Sequence, residues 1–324
     1  MVKVATVTMP ESFQPETLKK LVAKHVECDP AQLAFDIPST GKHNATYLVN
    51  GACRPLVIRI SPPDDAGYLF YERGMMAQEP NIHKLIRDRT NAPVAEIIAY
   101  DSSREVIDRD YLIMERLPGV PLTEASLTRR QLESVLQELG IHLKAIHAIT
   151  AEQYGYLGKH KCMKPQKTWA EAFRVMWDRL IDDIEATGSY SSGEANWARS
   201  LLEKHYSVFD RPVISRLLHM DIWAQNILVD DYARLSGILD FDRALWGDKE
   251  IEFAVLDYCG ISEPAFWHGY GEQRDLSPEA WIRRQFYLLY EVQKYMVIYY
   301  YRRSRQSDAI NRYKQQSINM LSTL

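Results

Sequence analysis

Cysteine is scarce in this chain: 4 residues in 324, at positions 28, 53, 162 and 259, with no Cys-x-x-Cys pair among them. That argues against a disulfide framework or a cysteine-rich zinc site, and for reduced thiols in the cytoplasm. A charge excess is also missing. Lys and Arg number 39 against 43 Asp and Glu, a net charge of −4, which speaks against a general nucleic-acid binder. The most apolar late run, residues 295–301, is far too short to span a bilayer, and the first residues lack the apolar core of a signal peptide. The phosphate-binding pattern Gly-x-x-x-x-Gly-Lys-Ser/Thr is absent, so the chain is not a Walker-type P-loop protein. Internal repeats and low-complexity segments are lacking as well. What remains is an ordinary globular composition on a chain long enough for two lobes. Nothing in it speaks to oligomeric state.

The most informative stretch is His219-Met220-Asp221-Ile222-Trp223-Ala224-Gln225-Asn226, followed by Asp240-Phe241-Asp242. Between them lie two apolar runs, 226–230 and 236–241, with residues 231–234 as the turn. A hairpin of this kind brings Asn226 and Asp240 side by side. Their oxygens are hard ligands that suit Mg²⁺, and Asp221, five residues before Asn226, is placed to accept a hydroxyl proton. This is the spacing of a kinase catalytic loop, in which phosphoryl transfer asks for positioning and charge neutralisation rather than covalent chemistry. The competing reading is a set of turn-forming Asp and Asn residues. His219 reads as a loop-holding residue. Asp242 reads as a carboxylate behind the metal ligands or as a loop residue.

Periodicity organises the flanks. A helix is expected over residues 15–27, with Pro15 in its first turn and Leu18, Leu21, Val22 and Val26 on one face. Strands are expected at 45–49 and 55–60, joined through Asn50-Gly51 as a hairpin, and at 94–100 and 111–114. Thr128-Arg129-Arg130-Gln131 is a capping box that opens a helix carrying Leu132, Val135, Leu136, Leu139, Leu143 and Ile146 on one side. Trp169, Phe173, Trp177, Leu180 and Ile181 recur at helical spacing and read as core. A long tyrosine-rich helix follows from residue 278 to about 301.

The set 219–240 resembles the aminoglycoside phosphotransferase-type kinases, a small-molecule branch of the protein-kinase-like fold. The resemblance runs from about residue 35 to 260. It implies an α+β, bilobal, protein-kinase-like fold: a small antiparallel-sheet N-lobe over residues 1–116 that binds nucleotide, and a larger, mostly helical C-lobe over 117–324. It further implies a helical substrate-binding subdomain built from residues 164–210 and 263–324. ATP or GTP is the implied phosphate donor, with Mg²⁺. Arg59 stands where protein kinases carry the strand-three lysine, with Glu79 or, alternatively, Glu72 as its partner. Gly41 and Asn44 fall in the loop over the phosphates. Glu115 and Leu117 fall in the hinge that would hold the adenine edge. Trp246-Gly247-Asp248-Lys249-Glu250-Ile251-Glu252 resembles the family's Gly-Asp-x-x-x-Asp stretch, with Asp248 as a helix cap and Glu252 in place of the usual Asp.

A protein kinase is disfavoured, because Met220 replaces the Arg of His-Arg-Asp and no Ala-Pro-Glu follows Asp240. The expected activity is phosphotransfer to a hydroxyl of a small molecule. Segments 245–280 and 171–195 are acidic and, in the family, border the acceptor cleft, which suits a cationic, aminoglycoside-like antibiotic acceptor; a solvated surface explains the same charges equally well. The alternatives are a metabolic kinase of a fructosamine, sugar amine or amino alcohol, and a macrolide phosphotransferase. From a different class, the chain could be an inactive kinase-like binding module.

Overall fold

The computed structural model describes residues 12–38, 43–64, 67–303 and 305–324. The N-terminal part is an antiparallel sheet with one helix on its outer face. Helix α1 (Pro15–Ala23) is followed by strands β1 (Ala34–Asp36), β2 (Ala45–Asn50) and β3 (Leu56–Ile60). Helix α2 (Glu79–Arg89), β4 (Ile97–Asp101) and β5 (Tyr111–Glu115) complete it, in the spatial order β1-β2-β3-β5-β4. Side chains alternate across a strand. Leu56, Ile58 and Ile60 of β3 therefore pack with Leu18, Leu21 and Val22 of α1. Val57 joins Met76, Leu112 and Met114 on the other face, and Arg59 shares that side.

Three sequence expectations shift here. α1 stops at Ala23 rather than residue 27. The chain between β2 and β3 is a longer loop, residues 51–55, with Gly51 at φ +84°, not a two-residue hairpin turn. β4 begins at Ile97, because Ala92, Val94 and Ala95 pack inward ahead of the strand.

The chain leaves the sheet through Gly119, at φ +101°. A Cβ there would sit 2.4 Å from the Val229 carbonyl, so the turn needs glycine. β6 (Val120–Pro121) then pairs with β9 (Ile227–Val229), which pairs with β10 (Leu235–Ile238); α3 (Arg129–His147), β7 (Thr150–Ala151), α4 (Trp169–Ala186), α5 (Ser192–Lys204) and β8 (Ser215–Leu218) lie between in sequence. β11 (Leu245–Gly247) pairs with β8, and α6 (Lys249–Tyr258), α7 (Pro264–Tyr270), α8 (Pro278–Arg302) and α9 (Ser307–Leu321) follow.

The capping box at Thr128 is formed, and equivalent boxes open α4 at Thr168 and α5 at Ser191. The aromatic run of α4 is core: Trp169, Phe173 and Trp177 pack against Phe286, Tyr287 and Tyr290 of α8, with Trp169 Nε1 donating to the Tyr287 hydroxyl at 2.7 Å. Among the described residues, no helix is long and apolar enough to cross a membrane.

Candidate active site

A cleft of about 760 Å³ lies between the sheet and the helical part. Leu48, Val57, Met114, Leu117, Leu228 and Leu239 line an apolar slot at one end, beside Glu115 and Arg116. The Glu115 side chain turns away from it, accepting from the Glu96 N–H at 3.2 Å and facing Arg87 at 3.5 Å. Of that stretch, backbone and Leu117 are what the slot offers a flat base.

The hairpin does what its sequence requires. Ile227 pairs with Ile238, and the Leu239 N–H donates to the Asn226 carbonyl at 2.9 Å, so Asn226 and Asp240 emerge together at its open end. Asp240 adopts φ +71°, a left-handed conformation costly for a residue with a Cβ. The kink lets Asp240 and Asp242, two residues apart, face one guanidinium. Arg59 donates from Nη1 to Glu79 at 2.7 and 3.0 Å, and from Nη2 to Asp240 at 2.5 Å and Asp242 at 3.2 Å. Glu79 is the partner of Arg59. It is fully buried at the first turn of α2 and does not line the cleft, so it acts on the site through Arg59. Glu72, the alternative, instead binds Arg302 at the end of α8 and accepts from the Leu69 N–H.

Carboxylate crowding sets the charges. Burial works against ionised Asp240, but the Arg59 guanidinium outweighs it and holds the carboxyl below its usual value. Burial, then the neighbouring charges of Asp240 and Glu79, push Asp242 well up. Glu79, Asp240 and Asp242 each offer an oxygen, all within 4.8 Å of one another. Asn44, in the loop above, donates to Asp242 at 3.5 Å. Gly41 lies outside the described residues.

Asp221 sits on the facing loop. Asn226 Nδ2 donates to its carboxylate and to its carbonyl, both at 2.9 Å, which leaves Asn226 Oδ1 for a cation. Burial raises the Asp221 carboxyl above its ordinary value, while the nearby Lys294 and Arg243 cations pull it back. His219 locks the loop: its Nδ1 accepts the Asp221 N–H at 3.1 Å and its Nε2 donates to the Leu239 carbonyl at 2.8 Å. That pair of bonds places the imidazole proton on Nε2.

Glu252 belongs to this machinery although sequence reasoning gave it no role. Its carboxylate accepts the N–H groups of His219 at 2.8 Å and Met220 at 2.6 Å, where the backbone passes through φ +68°, and it faces His147 at 3.0 Å. The only available signal was its place in the Gly-Asp-x-x-x-Asp-like stretch. Arg243 was missed too. It donates to the Met220 carbonyl at 2.7 Å and pairs with Glu291. Asp248 caps α6, accepting from the Glu250 N–H at 3.1 Å, and lies outside the cleft.

Among the described residues, segment 164–210 contributes nothing to the lining; it is the packing layer behind α8. From 263–324 only the last turns of α8 and Arg303 line the cleft, facing Tyr258 and Cys259. Nor do the acidic residues of segment 245–280 line this cleft. Asp257 pairs with Arg274 and Arg284, Glu250 with Arg283, Glu263 with Arg129, Glu272 with Lys249 and Asp275 with Arg283. Those carboxylates are spent on structural ion pairs away from the cleft.

Residues 37–287 match the model of the phosphotransferase enzyme family. The chain belongs to that family. A probable ketoamine kinase of Vibrio parahaemolyticus serotype O3:K6 is 31% identical over 268 residues, 78% of this chain and 83% of that one. A protein of Haemophilus somnus 129PT with the provisional name fructosamine-3-kinase superposes with a TM-score of 0.69 at 15% identity, over 94% of this chain and 97% of that one. A thermostable mutant of an aminoglycoside phosphotransferase, solved as a ternary complex with ADP and hygromycin B, gives a TM-score of 0.65 at 18% identity over 94% and 97%. The two superpositions establish the bilobal, kinase-like α+β fold. The family, with its 31%-identical ketoamine-kinase relative, makes this chain a small-molecule phosphotransferase.

Proposed function

We propose that the chain moves the terminal phosphate of ATP or GTP to a hydroxyl of a small metabolite-like acceptor, with Asp221 as the residue that receives the hydroxyl proton. The observation that carries this is the meeting, at one open hairpin end, of Asp221, Asn226 and Asp240 opposite the Arg59–Glu79 pair. The donors Asn226 Oδ1, Asp240 and Asp242 are hard oxygens, which suit Mg²⁺. When bound, the ion would neutralise phosphate charge. Arg59 lies beside this cluster with a charge that can turn to phosphate, and Asn44 overhangs it. The apolar slot beside Leu117 suits a purine ring, and the neighbour solved with ADP supports a nucleotide donor. Asp221 is oriented by Asn226 and raised by burial, which favours proton acceptance at the moment of transfer.

For the acceptor, the names of relatives offer two classes, ketoamines and aminoglycosides. The ion-paired acidic segments leave the polycationic class without the electrostatic wall that favoured it, so a sugar-like or ketoamine-type acceptor is preferred. That preference favours a metabolic over a resistance role. The test is a coupled ADP- or GDP-release screen over ketoamines, sugars, amino alcohols, macrolides and aminoglycosides, with Mg²⁺ titrated. Magnesium-dependent transfer to a hydroxyl is expected, weakened more by Asp240→Ala than by Asn226→Ala because Asp240 supplies a full charge. Failure to bind Mg-nucleotide would reduce the chain to a kinase-like binding module.

A further inference from the structure

The acceptor side of the cleft is walled by two adjacent rows of α8 and the residue that ends it: Lys294, Ile298 and Arg302, and beside them Tyr295, Tyr299 and Arg303. Residues four apart share a helix face, so these rows form one continuous surface. Its charges can be followed one by one. Lys294 and Arg243 flank the buried Glu291 from opposite oxygens, and their surplus positive charge faces Asp221. Arg302 is matched by Glu72. Arg303, half-buried, has no carboxylate partner among the described residues. Glu291 and Glu72, the carboxylates that α8 and its neighbours bring to this row, thus have their cations, and among the described residues Arg303 is the cation left at the far end without one.

We propose that the acceptor is a hydroxylated molecule carrying an anionic group, carboxylate or phosphate, seated along α8 with its hydroxyl at Asp221 and its anion at Arg303. Tyr295, Tyr299 and Tyr258 flank the stretch between and offer ring faces and hydroxyls to a sugar-like body. At about 1.5 Å per residue, the levels of Lys294 and Arg303 are roughly 13 Å apart along the helix. The hydroxyl and the anionic group of the acceptor are therefore separated by about the length of a disaccharide. An arginine fork suits either anion through paired hydrogen bonds. A polycation would meet Arg303 and Lys294 as like charges.

This inference rests on the phosphotransferase reading, and the experiment separates the two. Magnesium-dependent ATP binding, followed by calorimetry, judges that reading and does not depend on Arg303. Acceptor choice is read by ADP release from the whole enzyme over hydroxylated compounds sorted by charge. The panel includes the set lactobionate, lactose and hygromycin B. Anionic members are expected to show kcat/KM at least about tenfold above neutral partners. Arg303→Gln should raise KM for the anionic members about tenfold with little change in kcat, leave neutral members within about twofold, and be partly rescued by Arg303→Lys. Phosphate esters against carboxylates of equal length then distinguish the two anions. Highest turnover of cationic members, or no use of any anionic member, overturns the proposal. So does an Arg303→Gln effect that falls on KM for ATP and spares the acceptor, which would assign Arg303 to the nucleotide phosphates.

Discussion

At the scale of the residue, the site is a contest between carboxylates and a few well-placed cations. Asp221→Ala should leave Mg-ATP affinity nearly unchanged and cut kcat by about 10²–10⁴-fold, because a proton acceptor acts chiefly in the transition state. Isothermal titration beside steady-state rates checks this, and a loss under about tenfold would remove Asp221 from that role. Arg59 carries a second kind of consequence. It is the shared counter-ion of fully buried Glu79, of buried Asp242 and of Asp240. Arg59→Met should lower stability by about 3–5 kcal/mol, measured from urea midpoints, since it strands buried carboxylates. That Asp221, Asn226 and Asp240 meet at one hairpin end was legible in their spacing, and the place of Arg59 in the resemblance of its strand to the family's third strand. Glu252 and Arg243 were not. Their roles are to receive and give hydrogen bonds at the backbone of residues 219 and 220, and that requires knowing which helix lies behind the loop.

At the scale of the element, pattern was a good guide wherever a helix carries its own start signal and a strand its own alternation. Thr128, Ser277 and Asp248 cap the helices that their neighbours open. The two- and three-residue strands β6, β7 and β11 went unforeseen, because each exists only by pairing with a distant partner. The acidic segments were misread for a related reason: composition counts charges but not the arginines that helix packing sets against them. One element-level contact gives a pH prediction. Asp183 of α4 accepts the Phe70 N–H at 2.7 Å, and burial pushes its carboxyl up to about 6 from 3.8. A carboxyl raised by folding favours the protonated form. Its ionisation therefore costs stability that builds up as pH climbs from about 4 to about 6, is constant above that, and is nil below about 4. Asparagine keeps an oxygen for Phe70 without the charge. Asp183→Asn should gain about 1 kcal/mol above pH 7, after allowance for its partial exposure, and nothing near pH 4. Thermal melts across pH read this directly, and equal gains at both ends would place the effect elsewhere.

At the scale of the whole molecule, the cleft is a joint property of both parts, with Leu48, Val57 and Met114 on one side and Leu228 and Leu239 on the other. All seven tryptophans, at positions 169, 177, 197, 223, 246, 267 and 281, lie in the helical part. Their fluorescence therefore reports that part alone. Mg-ATP at about 100 times its dissociation constant should add about 2.7 kcal/mol to the unfolding reported by tryptophan, coincident with the circular-dichroism transition of the whole chain. Separate transitions, with only the non-tryptophan one shifted, would mean that nucleotide binds the sheet without engaging the hairpin. The pairing of Glu72 with Arg302 carries a further consequence. Glu72 belongs to the segment that leads into α2 and its Arg59 partner, and its charge bears on His43. Arg302 ends the helix along which the acceptor is held. Donor and acceptor thus lean on one buried ion pair, and thermodynamic linkage makes their influence mutual. By whatever factor bound nucleotide tightens or loosens the acceptor, the acceptor must change nucleotide affinity by that same factor, and Glu72→Gln is where the two should come apart.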